Sequence, residues 1–164
     1  MPFRFTKGQE EAGIKAFGEI VIPAARQRQG YAGIFLLLDR ELGRGASVAY
    51  YGDKASMDAA AAEGTRMRDE IAARMDLTVT RVIEGEMAVV ERTAPPAPGT
   101  WVRMNLLQGD PQKADEGIAF VREKVVPSLR RQNGFRALLQ SVNRETGETA
   151  VGSVWATRAD LDAS

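Results

Sequence analysis

The sequence predicts an α+β fold made of two β-α-β-β-α-β units in tandem, each built on an antiparallel sheet. Residues 13–60 align with residues 117–164 at a constant offset of 104 without a gap, and 14 of the 48 aligned positions are identical. Each segment carries a helical stripe, two strand-length apolar runs around a short turn, and the start of a second helix. The Pro-rich stretch TAPPAPGT, residues 93–100, separates the copies.

Each copy is predicted to begin with a short entry strand and an amphipathic helix. Pro23 and Pro127 stand at the same place late in this helix, where a missing backbone N–H should kink the last turns. Gly30 and Gly134 suit left-handed caps that end the helix. Apolar residues recur at the spacing of one buried helical stripe in both copies, namely Ile14, Phe17, Val21 and Ala25, and then Ile118, Val121, Val125 and Leu129.

A hairpin and a second helix follow in both copies. The runs YAGIFLLLD and FRALLQSVN predict strands, and the segments after them predict tight turns with Gly43 and Gly147 in the left-handed position. The return strands lead to helices that Asp53 and Thr157 can cap, and Thr157 with Asp160 approximates a capping box. This order of elements is the ferredoxin-like one.

The two copies differ in length. In copy one, residues 77–92 predict a single long strand with a bulge at Gly85, whereas the counterparts of residues 61–92 are absent after Ser164. The sequence therefore favours a longer natural protein over a second molecule that supplies the missing parts, and the open sheet edge of the second copy predicts a homodimer contact. The predicted domains are a complete repeat at 1–92, a linker at 93–100 and an incomplete repeat at 101–164.

The composition excludes several classes of protein. Lys plus Arg equals Asp plus Glu at 22 each, so no net charge favours nucleic acid or an anionic membrane. The chain has no cysteine and no histidine, which excludes disulfides, thiolate nucleophiles and imidazole-based metal or haem sites. No run approaches the ~18 apolar residues of a membrane span, and the N-terminal stretch lacks a signal-peptide core. We therefore expect a soluble, cytoplasmic protein without a metal or cofactor.

Three recurring motifs carry a resemblance to a known family. They are P-x-x-R-x-x-x-G-[YF] at residues 23–31 and 127–135, then [DN]-R-E-x-G, then VWATRADLDAS at the end of the chain. Together they resemble the antibiotic-biosynthesis-monooxygenase-like branch of the dimeric α+β barrels. The resemblance implies an eight-stranded barrel formed by two ferredoxin-like units, each with a cavity between its sheet and its helices. Some members oxidise quinol-like substrates with dioxygen and no cofactor, and others degrade haem.

The resemblance also implies candidate site residues. The haem-degrading branch places an asparagine on its first strand and a tryptophan on its third, and Asn105 and Trp155 match these by position. The haem-ligating histidine of that branch has no match, which disfavours haem degradation. Asn105 and Trp155 are therefore the predicted catalytic residues, with Arg103, Tyr51 and Phe135 as predicted contacts to a small apolar substrate.

Each of the two catalytic candidates has a structural alternative. An asparagine on a strand can stabilise developing negative charge in a dry pocket, or it can bond to its own loop at the strand end. Trp155 can stack on a planar substrate, or it can be the largest core residue with one partner for its N–H. The core role is the favoured one for Trp155.

The leading functional hypothesis is a cofactor-independent monooxygenase that acts on a planar, apolar, quinol-like molecule. The alternative is a non-catalytic domain for hydrophobic-ligand binding or assembly. A closed cavity of a few hundred Å³ into which Asn105 and Trp155 both point would favour the enzyme. Because the better candidate residues lie in the second copy, the sequence predicts a scaffold in the first copy and the site in residues 101–164.

Overall fold

The computed structural model describes residues 1–95 and 97–164, the side chain of Ala62 excepted. The chain forms two compact units, Met1–Val82 and Ile83–Ser164. Pro96 of the predicted linker lies outside the described residues.

Unit 1 has the predicted β-α-β-β-α-β order, and its four antiparallel strands lie in the order β2-β3-β1-β4. A π-helical turn interrupts its first helix. The elements are β1 (Pro2–Phe5), α1 (Glu10–Ala16), the π turn (Phe17–Val21), α2 (Ile22–Arg26), β2 (Tyr31–Asp39), β3 (Arg44–Tyr51), α3 (Lys54–Arg74) and β4 (Leu77–Val79).

Unit 2 begins with an additional strand and ends in a short helix, and its antiparallel sheet has the order β5-β7-β8-β6. The elements are β5 (Glu86–Arg92), β6 (Trp101–Gln108), a 3₁₀ turn (Pro111–Lys113), α4 (Ala114–Phe120), a π turn (Val121–Val125), α5 (Val126–Leu129), β7 (Phe135–Val142), β8 (Glu148–Trp155) and α6 (Arg158–Asp162).

The same local structures recur at the offset of 104 that the sequence alignment uses. The π turns at 17–21 and 121–125 each lie directly before a short helix that has proline at its start. Proline donates no N–H and its ring would clash with the carbonyl four residues back, so a wider turn replaces the kinked α-helix that the sequence predicts. Four glycines adopt positive φ at the positions predicted for caps and turns: Gly30, Gly43, Gly134 and Gly147.

The core of unit 2 joins one face of the sheet to its helices. Trp155 and Leu138 are its largest fully buried side chains, and Phe135 lies beside them. Helical side chains close the cluster, and Val89 of β5 belongs to it as well. β5 is therefore held in unit 2 both by hydrogen bonds to β7 and by burial of its own side chain.

The predicted long strand over residues 77–92 is wrong, because it forms two strands in different sheets. β4 pairs with β1, whereas β5 pairs with β7. The predicted bulge at Gly85 is also wrong, since the register shift of β5 lies between Met87 and Val89. Gly85 serves a close approach instead, because a Cβ there would lie 2.7 Å from the carbonyl of Val142.

These pairings move the division of the chain. The two compact units divide between Val82 and Ile83, whereas the sequence placed the division at the Pro-rich stretch of residues 93–100. In unit 1 the last strand, β4, lies beside β1. The sheet of unit 2 has no strand at the corresponding place beside β6, so β6 is an edge strand. The fourth strand of this sheet is β5, on the opposite side.

The two predicted N-caps are confirmed. The carboxylate of Asp53 accepts a hydrogen bond from the Ser56 N–H at 2.7 Å, at the start of α3. Thr157 and Asp160 form a reciprocal capping box at the start of α6, with both backbone bonds at 3.1 Å.

We predict that the Asp53 cap makes the stability of unit 1 depend on pH. The Ser56 backbone N–H, followed by the Ser56 hydroxyl, lowers the pKa of the Asp53 carboxyl. A pKa lowered by folding stabilises fully above the unfolded value of roughly 4, and this contribution is lost as the pH falls through the folded value. Thermal unfolding of Asp53→Ala should occur below that of the wild type at pH 7, with a smaller difference at pH 3.

Asp53→Asn is the matched control, because asparagine caps a helix without a titrating group. Its melting temperature should stay close to that of the wild type at pH 7. An unchanged difference between Asp53→Ala and the wild type at the two pH values would contradict the prediction.

Candidate functional site

Asn105 lies in the middle of the edge strand β6 and is exposed. It is paired in register with Val151, as Trp101 is with Trp155. Directly opposed residues of an antiparallel pair share a face of the sheet, and alternate residues of a strand do too. Asn105 therefore lies on the same face as Trp101 and Leu107, whose side chains are 43% and 52% exposed. This amphipathic strip of β6 is open to solvent in the described chain.

Trp155 occupies the core of unit 2. It is 0% exposed, and its ring meets that of Phe135 edge-on with the centroids 5.6 Å apart. The indole N–H donates to the Ser153 hydroxyl at 3.0 Å, which satisfies the one polar atom of the ring. Trp155 is therefore placed where the core interpretation puts it, and Phe135 is buried beside it.

The guanidinium of Arg103 is hydrogen-bonded to the last residues of the chain. Its guanidinium donates to the Leu161 carbonyl at 2.7 Å, and to the Ser164 hydroxyl and carbonyl at 2.6 and 3.2 Å. A cation at the carbonyl end of a helix also interacts favourably with the helix dipole. Arg103 thus fixes α6 to β6, and contact with a substrate would require these bonds to open.

Tyr51 lies in the other unit, at the end of β3. Its hydroxyl accepts a hydrogen bond from the Arg28 guanidinium at 3.4 Å. Trp155 and Phe135 are thus in contact, Asn105 and Arg103 share a strand, and Tyr51 belongs to a separate group of residues.

A cleft of about 100 Å³ lies in unit 1, between the π turn and α3. It contains none of the predicted site residues. Four of its seven lining side chains are charged, and apolar groups form the rest: Ile20, Glu63, Arg66, Met67, Glu70, Ile71 and Arg74.

The buried Gln140 and the partly buried Arg28 were not identified from the sequence. Gln140 is 4% exposed in the middle of β7, and its side-chain oxygen has no hydrogen-bond partner. The side chain of Arg28 is 12% exposed, and its Nε has no hydrogen-bond partner. The isolated glutamine within the apolar run FRALLQSVN was a usable signal for the first, whereas Arg28 resembles any arginine at a helix end.

Neither a carboxylate cluster for a metal ion nor a membrane-spanning helix occurs among the described residues. Among residues 1–95 and 97–164, no three Asp or Glu side chains lie close enough to hold a metal ion. None of the helices described is both long and apolar enough to cross a bilayer.

No family model matches this sequence. The chain is 30% identical over 137 residues to the uncharacterized protein Rv2557 of Mycobacterium tuberculosis. The aligned region covers 84% of this chain and 61% of that protein. It is 30% identical over 125 residues to the uncharacterized protein Rv2558 of the same organism, covering 76% of this chain and 52% of that protein. The chain thus spans about three fifths of the length of Rv2557 and about half of the length of Rv2558.

Solved structures are similar over nearly the whole chain. An anthrone oxidase-like protein matches with a TM-score of 0.72 and 15% identity, over 99% of this chain and 74% of its own. Candidate monooxygenases from Lactobacillus acidophilus NCFM and Fusobacterium nucleatum match with TM-scores of 0.65 and 0.66. The Lactobacillus protein is 16% identical over 99% of this chain and 78% of its own chain. The Fusobacterium protein is 14% identical over 98% of this chain and 75% of its own chain. At these identities the likeness concerns the fold, and it confirms the predicted α+β class.

Proposed function

We propose that this chain is a domain of an antibiotic-biosynthesis-monooxygenase-like enzyme that oxidises a planar, apolar, quinol-like molecule without a cofactor. The observation that best supports this is the similarity of fold, over 98–99% of the chain, to two candidate monooxygenases and an anthrone oxidase-like protein. The proposed site is the amphipathic strip of β6 around Asn105.

The strip has the chemical character that such a substrate requires. Leu107 offers apolar surface on one side of the Asn105 amide, whereas Arg103 lies between Asn105 and Trp101 on the other side. The Arg158 guanidinium lies 5.1 Å from the centre of the Trp101 ring, so one edge of the strip also carries positive charge. An amide donor beside apolar surface can orient a ring system that carries one oxygen atom.

The reaction needs no added reductant, because the substrate supplies the electrons. A reduced tricyclic ring loses a proton from its CH₂ carbon, and the carbanion reduces dioxygen and bonds to it. Cleavage of the O–O bond leaves one oxygen as a carbonyl and releases the other as water, so that CH₂ plus O₂ gives C=O plus H₂O. Asn105 would donate a hydrogen bond to the oxygen atom on which negative charge develops.

Such a reaction needs a site without water. Asn105 is exposed in the described chain, so the strip requires a cover before it can act as proposed. We propose that a second copy of the chain packs along the open edge of β6 and supplies this cover.

Dioxygen consumption with anthrone as the substrate tests the enzymatic proposal. The wild type should oxidise anthrone to anthraquinone faster than buffer does, and Asn105→Ala should lower kcat about 10²-fold or more, as loss of an oxyanion donor does. Asn133→Ala is the control, because Asn133 is an exposed asparagine in the turn before β7. Equal rates for the wild type and Asn105→Ala would contradict the assigned role.

A specific observation favours a second function, non-catalytic binding or assembly. Trp155 lies in a filled core and Asn105 lies in the open, which is the arrangement expected if neither residue takes part in catalysis. In that case the protein would bind anthraquinone or form a dimer while anthrone oxidation stays at the buffer rate.

A further inference from the structure

Arg28 of unit 1 combines partial burial with weak pairing. It follows α2, and only 12% of its side chain is exposed. A guanidinium carries five N–H donors and stays charged at any physiological pH. Buried donors of this kind normally have close partners, because an unmet charged group loses its hydration without compensation.

The partners of Arg28 are all distant. Its guanidinium lies 3.4 Å from the Tyr51 hydroxyl and 4.0 Å from the Met67 sulfur, and Nε has no hydrogen-bond partner. The far more exposed Arg144, by contrast, bonds to Glu86 and Asp115 at 2.7 and 2.8 Å. The exposed Arg144 thus makes short contacts although water could also solvate it, whereas the less accessible Arg28 makes only long ones.

One carboxylate approaches Arg28, but only loosely. Glu63 lies 4.0 Å from Nε, and 67% of its side chain is exposed. A pair at this distance with one exposed partner contributes little and can be exchanged for another anion at small cost. Arg28 therefore retains the capacity to bind a better-placed negative group.

Tyr51 adds a second donor at the same place. Its oxygen accepts from Arg28, so its own O–H remains able to donate. An anion placed beside both groups would receive charge-assisted bonds from the guanidinium and one bond from the phenol.

A cleft with apolar groups in its wall lies near this pair. Glu63 and Met67, which approach Arg28, are among the lining residues of this cleft of about 100 Å³, whereas Arg28 and Tyr51 are not. Ile20 and Ile71 form its other apolar walls. The cleft can hold part of one aromatic ring, and the rest of a larger aromatic ligand would extend beyond it.

Unit 2 has no such pair. The positions 104 residues further along are Gln132 and Trp155, and the buried indole of Trp155 occupies its place in the core. The arginine and the phenol are thus particular to unit 1, and a repeat-wide packing requirement does not explain them.

We propose that Arg28 and Tyr51 bind a small aromatic anion, with its carboxylate or sulfonate on these two residues and its ring against Met67 in the cleft. This site belongs to unit 1 and does not depend on the oxidation proposed for the β6 strip. It also places a ligand in the half of the chain for which the sequence predicted a scaffold.

Fluorescence titration with two matched probes tests the proposal. 8-Anilinonaphthalene-1-sulfonate carries an anionic group, and N-phenyl-1-naphthylamine has the same rings without it. In the full chain, Arg28→Gln should weaken binding of the sulfonate about tenfold or more, because charge-assisted bonds are lost. Binding of the neutral probe should change less than twofold. Tyr51→Phe should weaken sulfonate binding about threefold.

Arg26→Gln is the matched control, since it removes the same charge from an exposed arginine of the same unit that does not line the cleft. Its sulfonate affinity should stay within twofold of the wild type. Circular dichroism checks that each variant is folded, and Tyr51→Phe alone decides the test if Arg28→Gln does not fold. Equal losses for Arg28→Gln and Arg26→Gln, equal binding of the two probes by the wild type, or unchanged sulfonate binding by the deciding variant would overturn the proposal.

Discussion

Replacing Trp155 with alanine should lower the free energy of unfolding by about 3–5 kcal/mol, the usual cost of removing a large aromatic side chain from a core. The indole is 0% exposed and contacts Phe135 edge-on, so its removal leaves a cavity and ends an aromatic pair. The Ser153 hydroxyl would also lose its indole donor. Urea denaturation followed by far-UV circular dichroism measures the change without relying on tryptophan fluorescence.

Trp101→Ala is the natural comparison, because it removes the same side chain from the paired position on β6. That ring is 43% exposed, and its contact with Arg158 is of the kind that contributes about 0.5–1 kcal/mol at exposed sites. We therefore expect a cost of about 1 kcal/mol. Similar losses for the two variants would show that Trp155 does not anchor the core.

Replacing Gly134 with alanine should destabilise unit 2 by about 2 kcal/mol or more. Gly134 has a φ of +73°, a conformation that costs a residue with a Cβ about 1–2 kcal/mol. The new methyl group would also overlap the side chain of Asp160. Since Asp160 is half of the capping box of α6, relief of the overlap would disturb that cap as well. Thermal and urea unfolding report the total effect.

Gly117→Ala should change stability in the opposite direction. Gly117 lies within α4, and a Cβ there meets nothing within 4 Å. Alanine in a helix interior is more favourable than glycine by about 0.8–1 kcal/mol. A loss of stability for Gly117→Ala, or none for Gly134→Ala, would contradict this account of the two glycines.

Features of the fold that depend on residues close together in the sequence could be predicted. The left-handed glycines, the Asp53 cap and the capping box at Thr157 are local features, and all are found where they were predicted. The disturbance around Pro23 and Pro127 was predicted in place but not in form, because a missing N–H is compatible with either a kink or a π turn.

The partner of a strand could not be read in the same way. Strand-forming residues such as valine and threonine recur through residues 77–92, and nothing local indicates that β4 pairs with β1 while β5 pairs with β7. Strand pairing is decided by side chains distant in sequence, such as Val89 against the helices of unit 2. The division of the compact units between Val82 and Ile83 depends on the same pairings.

Some features of the candidate site could likewise be predicted from local sequence, whereas others depend on the fold. Alternation along β6 predicts that Asn105 and Arg103 share a face, and the register of the sheet agrees. The Arg28 group depends on a helix end, a strand end and α3 meeting at one point, which no spacing in the sequence reveals. The engagement of Arg103 by α6 was likewise invisible before the fold was known.

The pairing of β5 with β7 has a consequence for modularity. The Pro-rich stretch invites a cut or an exchange of halves at residue 93, yet such a junction would separate β7 from its neighbouring strand and remove Val89 from the core. A junction before Glu86 would transfer the sheet intact. The segment that can be recombined therefore starts upstream of the apparent repeat, and the visible linker lies inside the module.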